Sequence, residues 1–188
     1  FDYDLSHSGK GKSHGWTFFT TYNTEEAYTM KEAYASQNDK DYIAAVNWKK
    51  AEEYLAAGNF TEMPANYAHN YYDEKTQTAT SEMLKTVKVL DPANCPGLIY
   101  YMPCPKSPHG VDVDPSGEYI VGAGKLSADL TVHSFDKMIA AIEGQKFDGD
   151  AYGIPVLQFD AVNAGTVSSG GLGPLHTEFD GKGNAYTS

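Results

Sequence analysis

Cations and cysteines are both scarce in this chain. Against 25 Asp and Glu there are only 14 Lys and Arg, which leaves a formal net charge of −11 over 188 residues. A chain of that sign does not attract phosphate backbones or anionic bilayers, so neither nucleic acid nor a membrane surface is expected as a partner. No apolar run approaches the length needed to span a bilayer, and membrane insertion is not expected either. The two cysteines, Cys95 and Cys104, stand nine positions apart, which fits neither a Cys-x-x-Cys redox motif nor a zinc pair. They are compatible with a disulfide made in an oxidising compartment and equally with two unpaired structural thiols. A phosphate loop is missing too. Gly9-Lys-Gly-Lys-Ser13 lacks the glycine required five positions before Gly11-Lys-Ser, at position 6, where Ser6 stands. The chain opens on Phe1 without Met and stops at Ser188 in what reads as a strand, so both ends are expected to be cuts. Any signal peptide would then lie upstream.

What the chain does have is one device used twice. Pro108-His109 is followed by Asp114, Gly117 and Tyr119 at +5, +8 and +10. Leu172-Gly-Pro-Leu-His176 is followed by Asp180, Gly183 and Tyr186 at +4, +7 and +10. Asp-Pro-Ser-Gly and Asp-Gly-Lys-Gly are tight-turn sequences, because Asp caps its own backbone and Gly supplies positive φ. Glu118-Tyr-Ile-Val-Gly-Ala after the first turn is β-prone. Each copy reads as His, short strand, hairpin turn, next strand, and repetition of such a unit is the mark of a repeat fold. In a β-propeller each blade is a small antiparallel sheet set radially around a channel. Histidines at equivalent points of two blades would converge on one axis. Imidazole is the commonest side-chain ligand for copper and zinc, so the pair is a candidate metal site; a loop-capping role for each His is the plain alternative.

Pro108-His-Gly110, the run Gly122-Ala-Gly-Lys125-Leu-Ser127 and above all Leu172-Gly-Pro-Leu-His-Thr-Glu-Phe-Asp-Gly-Lys-Gly-Asn-Ala-Tyr-Thr187 closely resemble nitrous-oxide reductase. Phe19-Thr-Thr-Tyr-Asn-Thr-Glu25 and the segment through Trp48 fit the same family upstream. The resemblance implies an all-β fold, a seven-bladed β-propeller of which residues 1–188 would supply roughly three blades with short helical decorations. It implies a sulfide-bridged four-copper centre held by seven His, with His109 and His176 as two of the catalytic, cofactor-binding ligands. The remaining ligands, and a C-terminal cupredoxin domain with a dinuclear copper site, would lie outside this chain. It also implies a periplasmic, head-to-tail homodimer supplied with electrons by a small electron-transfer protein. The reaction would be two-electron, two-proton reduction of nitrous oxide to dinitrogen and water, the last step of denitrification. A non-catalytic propeller acting as a binding scaffold would share the turn repeat, but has no need of His at the same point of successive blades.

A second metal is also suggested. Oxygen ligands gathered across the polar loop from Tyr22 to Asp41 suit a hard cation such as calcium, although acidic loops are usually only solvated. The family has a calcium site near its copper centre that uses a Tyr and a Glu three residues apart and a later Asp; those positions are held here by Tyr22, Glu25 and Asp41. A ligand two residues before the His of Pro-His-Gly is often Asn in the family, and here it is Ser107, a weaker ligand.

The rest of the chain reads more plainly. Gly15–Tyr22 and Tyr42–Trp48 are aromatic or β-branched strands. Val46–Gly58 has the same layout as Val132–Gly144, a strand end running into a short Ala-rich helix closed by Gly at C′. His133 falls opposite Asn47 in that alignment and reads as structural or exposed, not as a ligand. Residues 1–15, with His7 and His14, read as a solvated polar loop. So do residues 59–94 with His69, apart from a strand over 83–90, and residues 144–171 read as a Gly-rich insertion.

Overall fold

The computed structural model describes residues 2–23, 41–104 and 106–188. Aromatic and β-branched runs form strands because such side chains pack well on a pleated surface, and the described residues build an all-β arrangement with three short helices. In order, the strands are β1 (Asp2–Ser8), β2 (Trp16–Asn23), β3 (Tyr42–Asn47), β4 (Thr61–Asp73), β5 (Thr78–Val89), β6 (Ile99–Pro103) and β7 (Pro108–Val113). There follow β8 (Tyr119–Gly124), β9 (Asp129–Ser134), β10 (Phe147–Ala151), β11 (Ile154–Leu157), β12 (Asn163–Ser168), β13 (Thr177–Phe179) and β14 (Ala185–Thr187). The helices are α1 (Trp48–Ala56), α2 (Phe135–Glu143) and α3 (Phe159–Val162).

Two antiparallel meanders carry the architecture. One runs β1-β2-β3-β6 and the other β7-β8-β9-β12. Both interrupt the meander at the same place, after the third strand, with a helix and then a hairpin: α1 and β4–β5 in the first, α2 and β10–β11 in the second. The second hairpin folds back and joins the first sheet, where β11 pairs with β6 in parallel at Val156 and Tyr101. β13 and β14 then begin a third unit. The repeat inferred from Val46–Gly58 and Val132–Gly144 is thus present as an actual structural repeat.

The two helices are matched in length and in capping. The Asn47 side chain accepts the Lys50 N–H at 3.0 Å and the Ser134 hydroxyl accepts the Lys137 N–H at 3.1 Å; a cap of this kind stabilises a helix by about 1 kcal/mol. Their ends differ from the expectation. Gly58 does take a left-handed φ of +78°, but Gly144 does not, and the left-handed residue after α2 is Gln145 at +52°. α2 buries Phe135, Met138 and Ala141, whereas α1 buries nothing.

The main core lies between the two meanders. Phe18, Ile43 and Met102 from one side meet Val111, Val113 and Ile120 from the other, with Met138, Leu157 and Val162 closing the layer. Three stretches depart from the sequence expectation. Residues 2–8 are a strand paired with β2, not a solvated loop, and the segment after it is a 3-10 turn, Gly11–Ser13. That turn docks on the second meander through the Lys12 N–H, which donates to the Ser116 carbonyl at 3.1 Å. Most of residues 59–94 form a long two-stranded ribbon instead of a loop, and the strand expected over 83–90 is present as the end of β5. Residues 144–171, read as an insertion, hold β10, β11, α3 and β12. Polar and Tyr-rich segments such as the ribbon give weak strand signals because pairing, not burial, holds them, whereas β11 is short and its signal lies in only Ile154, Val156 and Leu157. Cys95 and Cys104 are both free thiols, and burial pushes Cys104 well above the usual thiol range; such a thiol is inert.

His133 is fully inaccessible, edge-on to Phe159 at 6.1 Å, and neither ring nitrogen makes a hydrogen bond. Burial pushes its pKa down to about 4, only partly offset by the nearby backbone of Pro103 and Val162. Because the folded pKa lies below the unfolded value, the unfolded chain binds the extra proton first. Stability is therefore fully present above about pH 6.5 and lost as pH falls toward about 4. Replacing His133→Phe should flatten urea-unfolding free energy against pH across that window; an unchanged slope would mean other groups set it.

Candidate metal centre

The site is built on the first strand of the second meander. Between Pro108 and Gly110 the β7–β8 register slips, so His109 is the extra residue of a bulge. Bulges bend a strand and re-aim the side chain at that point. The bulge is pinned from the first meander, where the buried Thr20 hydroxyl donates to the His109 carbonyl at 2.8 Å and accepts the Leu5 N–H at 3.3 Å. His176 is delivered by the stretch just before β13. Its carbonyl accepts from the Ser188 N–H at 3.2 Å and from the Thr187 hydroxyl at 3.0 Å. The two imidazoles meet edge to face, ring centroids 5.4 Å apart at 73°.

Glycine in Pro-His-Gly has a direct cause. A Cβ on Gly110 would lie 1.8 Å from the Leu175 carbonyl oxygen and 3.0 Å from Nδ1 of His176. Only a residue without a side chain lets the two His-bearing segments approach this closely.

Asp112, two residues further on, faces the same segment. One carboxylate oxygen accepts the Thr177 N–H at 2.7 Å and lies 3.4 Å from Nδ1 of His176. The other lies 3.6 Å from Nδ1 of His7, on β1. That His7 nitrogen is also 3.3 Å from the Val113 N–H; it needs a lone pair for Val113 and a proton for Asp112, and the shorter contact is the one of hydrogen-bond length. Burial alone would raise the Asp112 pKa, but His7, the Thr177 N–H and His176 together outweigh it and hold the carboxyl below its usual range. The sequence marks neither for this role: His7 reads there as a solvated loop residue, and Asp112 carries no signal of its own. His7 lay in a segment without strand character, and Asp112 stands in an apolar strand next to a more conspicuous turn carboxylate.

The turns of the repeat behave as expected. Asp114 accepts the Tyr119 N–H at 2.8 Å and the Ser116 N–H at 3.1 Å, and Asp180 accepts the Asn184 N–H at 2.9 Å and the Lys182 N–H at 2.8 Å. The Asn184 side chain and then these backbone N–H groups bring the Asp180 pKa down to about 2. Gly117 and Gly183 supply the positive φ, +77° and +89°.

Of the four residues read as calcium ligands, two come together. Asp41 accepts the Ser107 N–H at 2.9 Å. Ser107 is fully buried with φ +55°, and its hydroxyl makes no hydrogen bond. Glu25 and the Tyr22 side chain lie outside what the structure describes. His14 packs edge-on to Trp48 and His69 lies against Tyr71 on the exposed ribbon, both far from the site in sequence and role. Among the described residues no three His, Cys, Asp or Glu side chains are placed to hold a metal ion together. Two imidazoles are suitable donors for copper or zinc but do not by themselves close a mononuclear site, which takes three or four ligands.

Taken by fold and site, this is an all-β repeat protein that brings imidazoles from successive units to a common edge. Over nearly its whole length it is similar in sequence to a segment of the nitrous-oxide reductases, as its motifs imply. It is 28% identical over 184 residues to the nitrous-oxide reductase of Pseudomonas fluorescens, covering 98% of this chain and 24% of that protein. To that of Stutzerimonas stutzeri it is 31% identical over 170 residues, 89% of this chain and 22% of the relative. A shorter stretch of 90 residues, 48% of this chain and 12% of the relative, is 43% identical to the Ralstonia nicotianae protein of the same name. The chain thus spans less than a quarter of the length of these curated relatives. No protein-family model matches it. Among the described residues no helix is long and apolar enough to cross a membrane.

Proposed function

We propose that this chain is part of a copper-dependent nitrous-oxide reductase, in which His109 and His176 are two ligands of a tetranuclear copper–sulfide centre. On this reading the two meanders and β13–β14 are successive blades of a seven-bladed propeller, and the cupredoxin domain with its dinuclear copper lies elsewhere in the protein. The observation that carries it is the meeting of His109 and His176, from equivalent points of successive units, at 5.4 Å, in a chain with reductase relatives along its length.

When bound, the cluster supplies the redox chemistry by which nitrous oxide, two electrons and two protons become dinitrogen and water. The protein contributes position. The bulge and Thr20 aim His109, and Gly110 lets His176 stand beside it. Neutral imidazoles leave the charge of the centre to copper and sulfide. Asp41 and Ser107, with Tyr22 and Glu25, are the proposed calcium ligands; the unpartnered Ser107 hydroxyl beside the Asp41 carboxylate supports an oxygen-rich cation site there. The reading extends to a periplasmic, head-to-tail homodimer fed by a small electron-transfer protein.

Metal content of the full-length protein, purified without oxygen, tests this. Several coppers per chain with acid-labile sulfide are expected, with the cluster's share lost in His109→Ala and in His176→Ala. Absence of copper, or cluster copper unchanged in both variants, would leave a scaffold propeller instead.

A further inference from the structure

We propose that Asp112 is the positioning residue of this centre, accepting the Nδ1 proton of His176 so that the ring presents Nε2 to the metal. The inference rests on the reading of His176 as a ligand and adds the group that orients it. A neutral imidazole carries one proton, and which nitrogen holds it is decided by the partner of the other. Nδ1 of His176 faces a carboxylate, Oδ2 of Asp112 at 3.4 Å, and an ionised carboxylate only accepts. The proton therefore belongs on Nδ1 and the lone pair on Nε2. A separation of 3.4 Å is long for such a bond, and a closure of about half an ångström brings it to ordinary length.

The surroundings make Asp112 a fixed acceptor. Its side chain is only 12% exposed while that of His176 is 44% exposed, so the carboxylate forms the back of the site and the ring its front. The Thr177 N–H holds Oδ2 at 2.7 Å, which ties the carboxylate to the residue immediately after His176. Its neighbours Val111 and Val113 point into the core, so strand alternation leaves Asp112 facing the imidazoles. His7 is a weaker claimant, at 3.6 Å and already within hydrogen-bond length of Val113. A purely structural role would need no carboxylate, since a neutral carbonyl would satisfy Thr177 equally. Metal-bound imidazoles held by a carboxylate in this way gain both a set tautomer and basicity, and loss of such partners costs about ten- to a hundred-fold in metal affinity.

The test uses the full-length protein labelled with 15N-histidine, as wild type, Asp112→Asn and Asp112→Leu. Copper affinity is measured by competition with a chelator. The His176 tautomer is read from imidazole 15N shifts in the metal-free protein, assigned with His176→Gln. In Asp112→Leu, copper affinity should fall about ten- to a hundred-fold and the Nδ1–H preference should disappear; Asp112→Asn, whose carbonyl still accepts, should restore most of both. Copper binding and tautomer unchanged in Asp112→Leu would overturn the inference while leaving the site intact. Copper lost with the tautomer unchanged would make the effect structural and overturn it too. A wild type that binds no copper would sink the reading of the site, and the inference with it.

Discussion

Gly110→Ala is expected to separate the two imidazoles and to destabilise the protein by about 3 kcal/mol, the upper part of the usual range for overpacking. A Cβ has no rotamer to escape through, and the atom it meets is main-chain oxygen, the Leu175 carbonyl at 1.8 Å. Relief therefore requires β7 and the segment before β13 to move apart. Because His176 follows Leu175 directly, its ring moves with the backbone and the 5.4 Å approach to His109 opens. Both consequences are measurable in one variant: a lower urea midpoint with unchanged m, and loss of cluster copper. A variant that keeps its midpoint and its copper would contradict the close approach described here. A lower midpoint with full copper would mean that the imidazole spacing tolerates the shift.

Phe18→Ala is expected to cost more, about 3–5 kcal/mol. Phe18 is fully inaccessible in the main core, opposite His7 on one side and Ala45 on the other. Total domain stability is typically about 5–15 kcal/mol, so a loss of that size brings a small domain near its limit. Thr20 lies two residues along the same face of β2, and its hydroxyl anchors the His109 carbonyl. The cavity thus loosens the support of the bulge as well as the core. Thermal unfolding of the variant checks the first effect, and copper content at a temperature where it remains folded checks the second. A shift below 1 kcal/mol would show that the surrounding side chains collapse into the space.

The part of the site legible in the sequence was the part that local chemistry dictates. Asp114-Pro-Ser-Gly117 and Asp180-Gly-Lys-Gly183 specify turns through caps and positive φ, and those turns place His109 and His176 at equivalent points. The helix repeat was legible for the same reason, since an apolar strand end, a cap and an Ala-rich run are local signals. His7 and Asp112 were not legible. Each matters only through tertiary contacts across strands far apart in sequence, His7 to Val113 and Asp112 to Thr177. Ser6 and Ser8 gave β1 the composition of a loop, and pairing with β2 overrode it. Of the ribbon only the end of β5 was legible, as the alternation over 83–90; the rest of its strands is largely exposed on both faces, so no hydrophobic alternation marks it.

That ribbon has a consequence for how the protein can change over time. β3 and β6 are paired neighbours, from Tyr42 with Pro103 to Val46 with Ile99, so everything between Trp48 and Leu98 leaves the sheet and returns to almost the same place. The ends of such an excursion are held by sheet pairing whatever its length, and doubling a flexible loop costs only about 0.6 kcal/mol. Insertions, deletions and rapid sequence drift can accumulate there without shifting β7 or the approach to β13. The imidazole pair is mechanically insulated from changes in the length of that excursion.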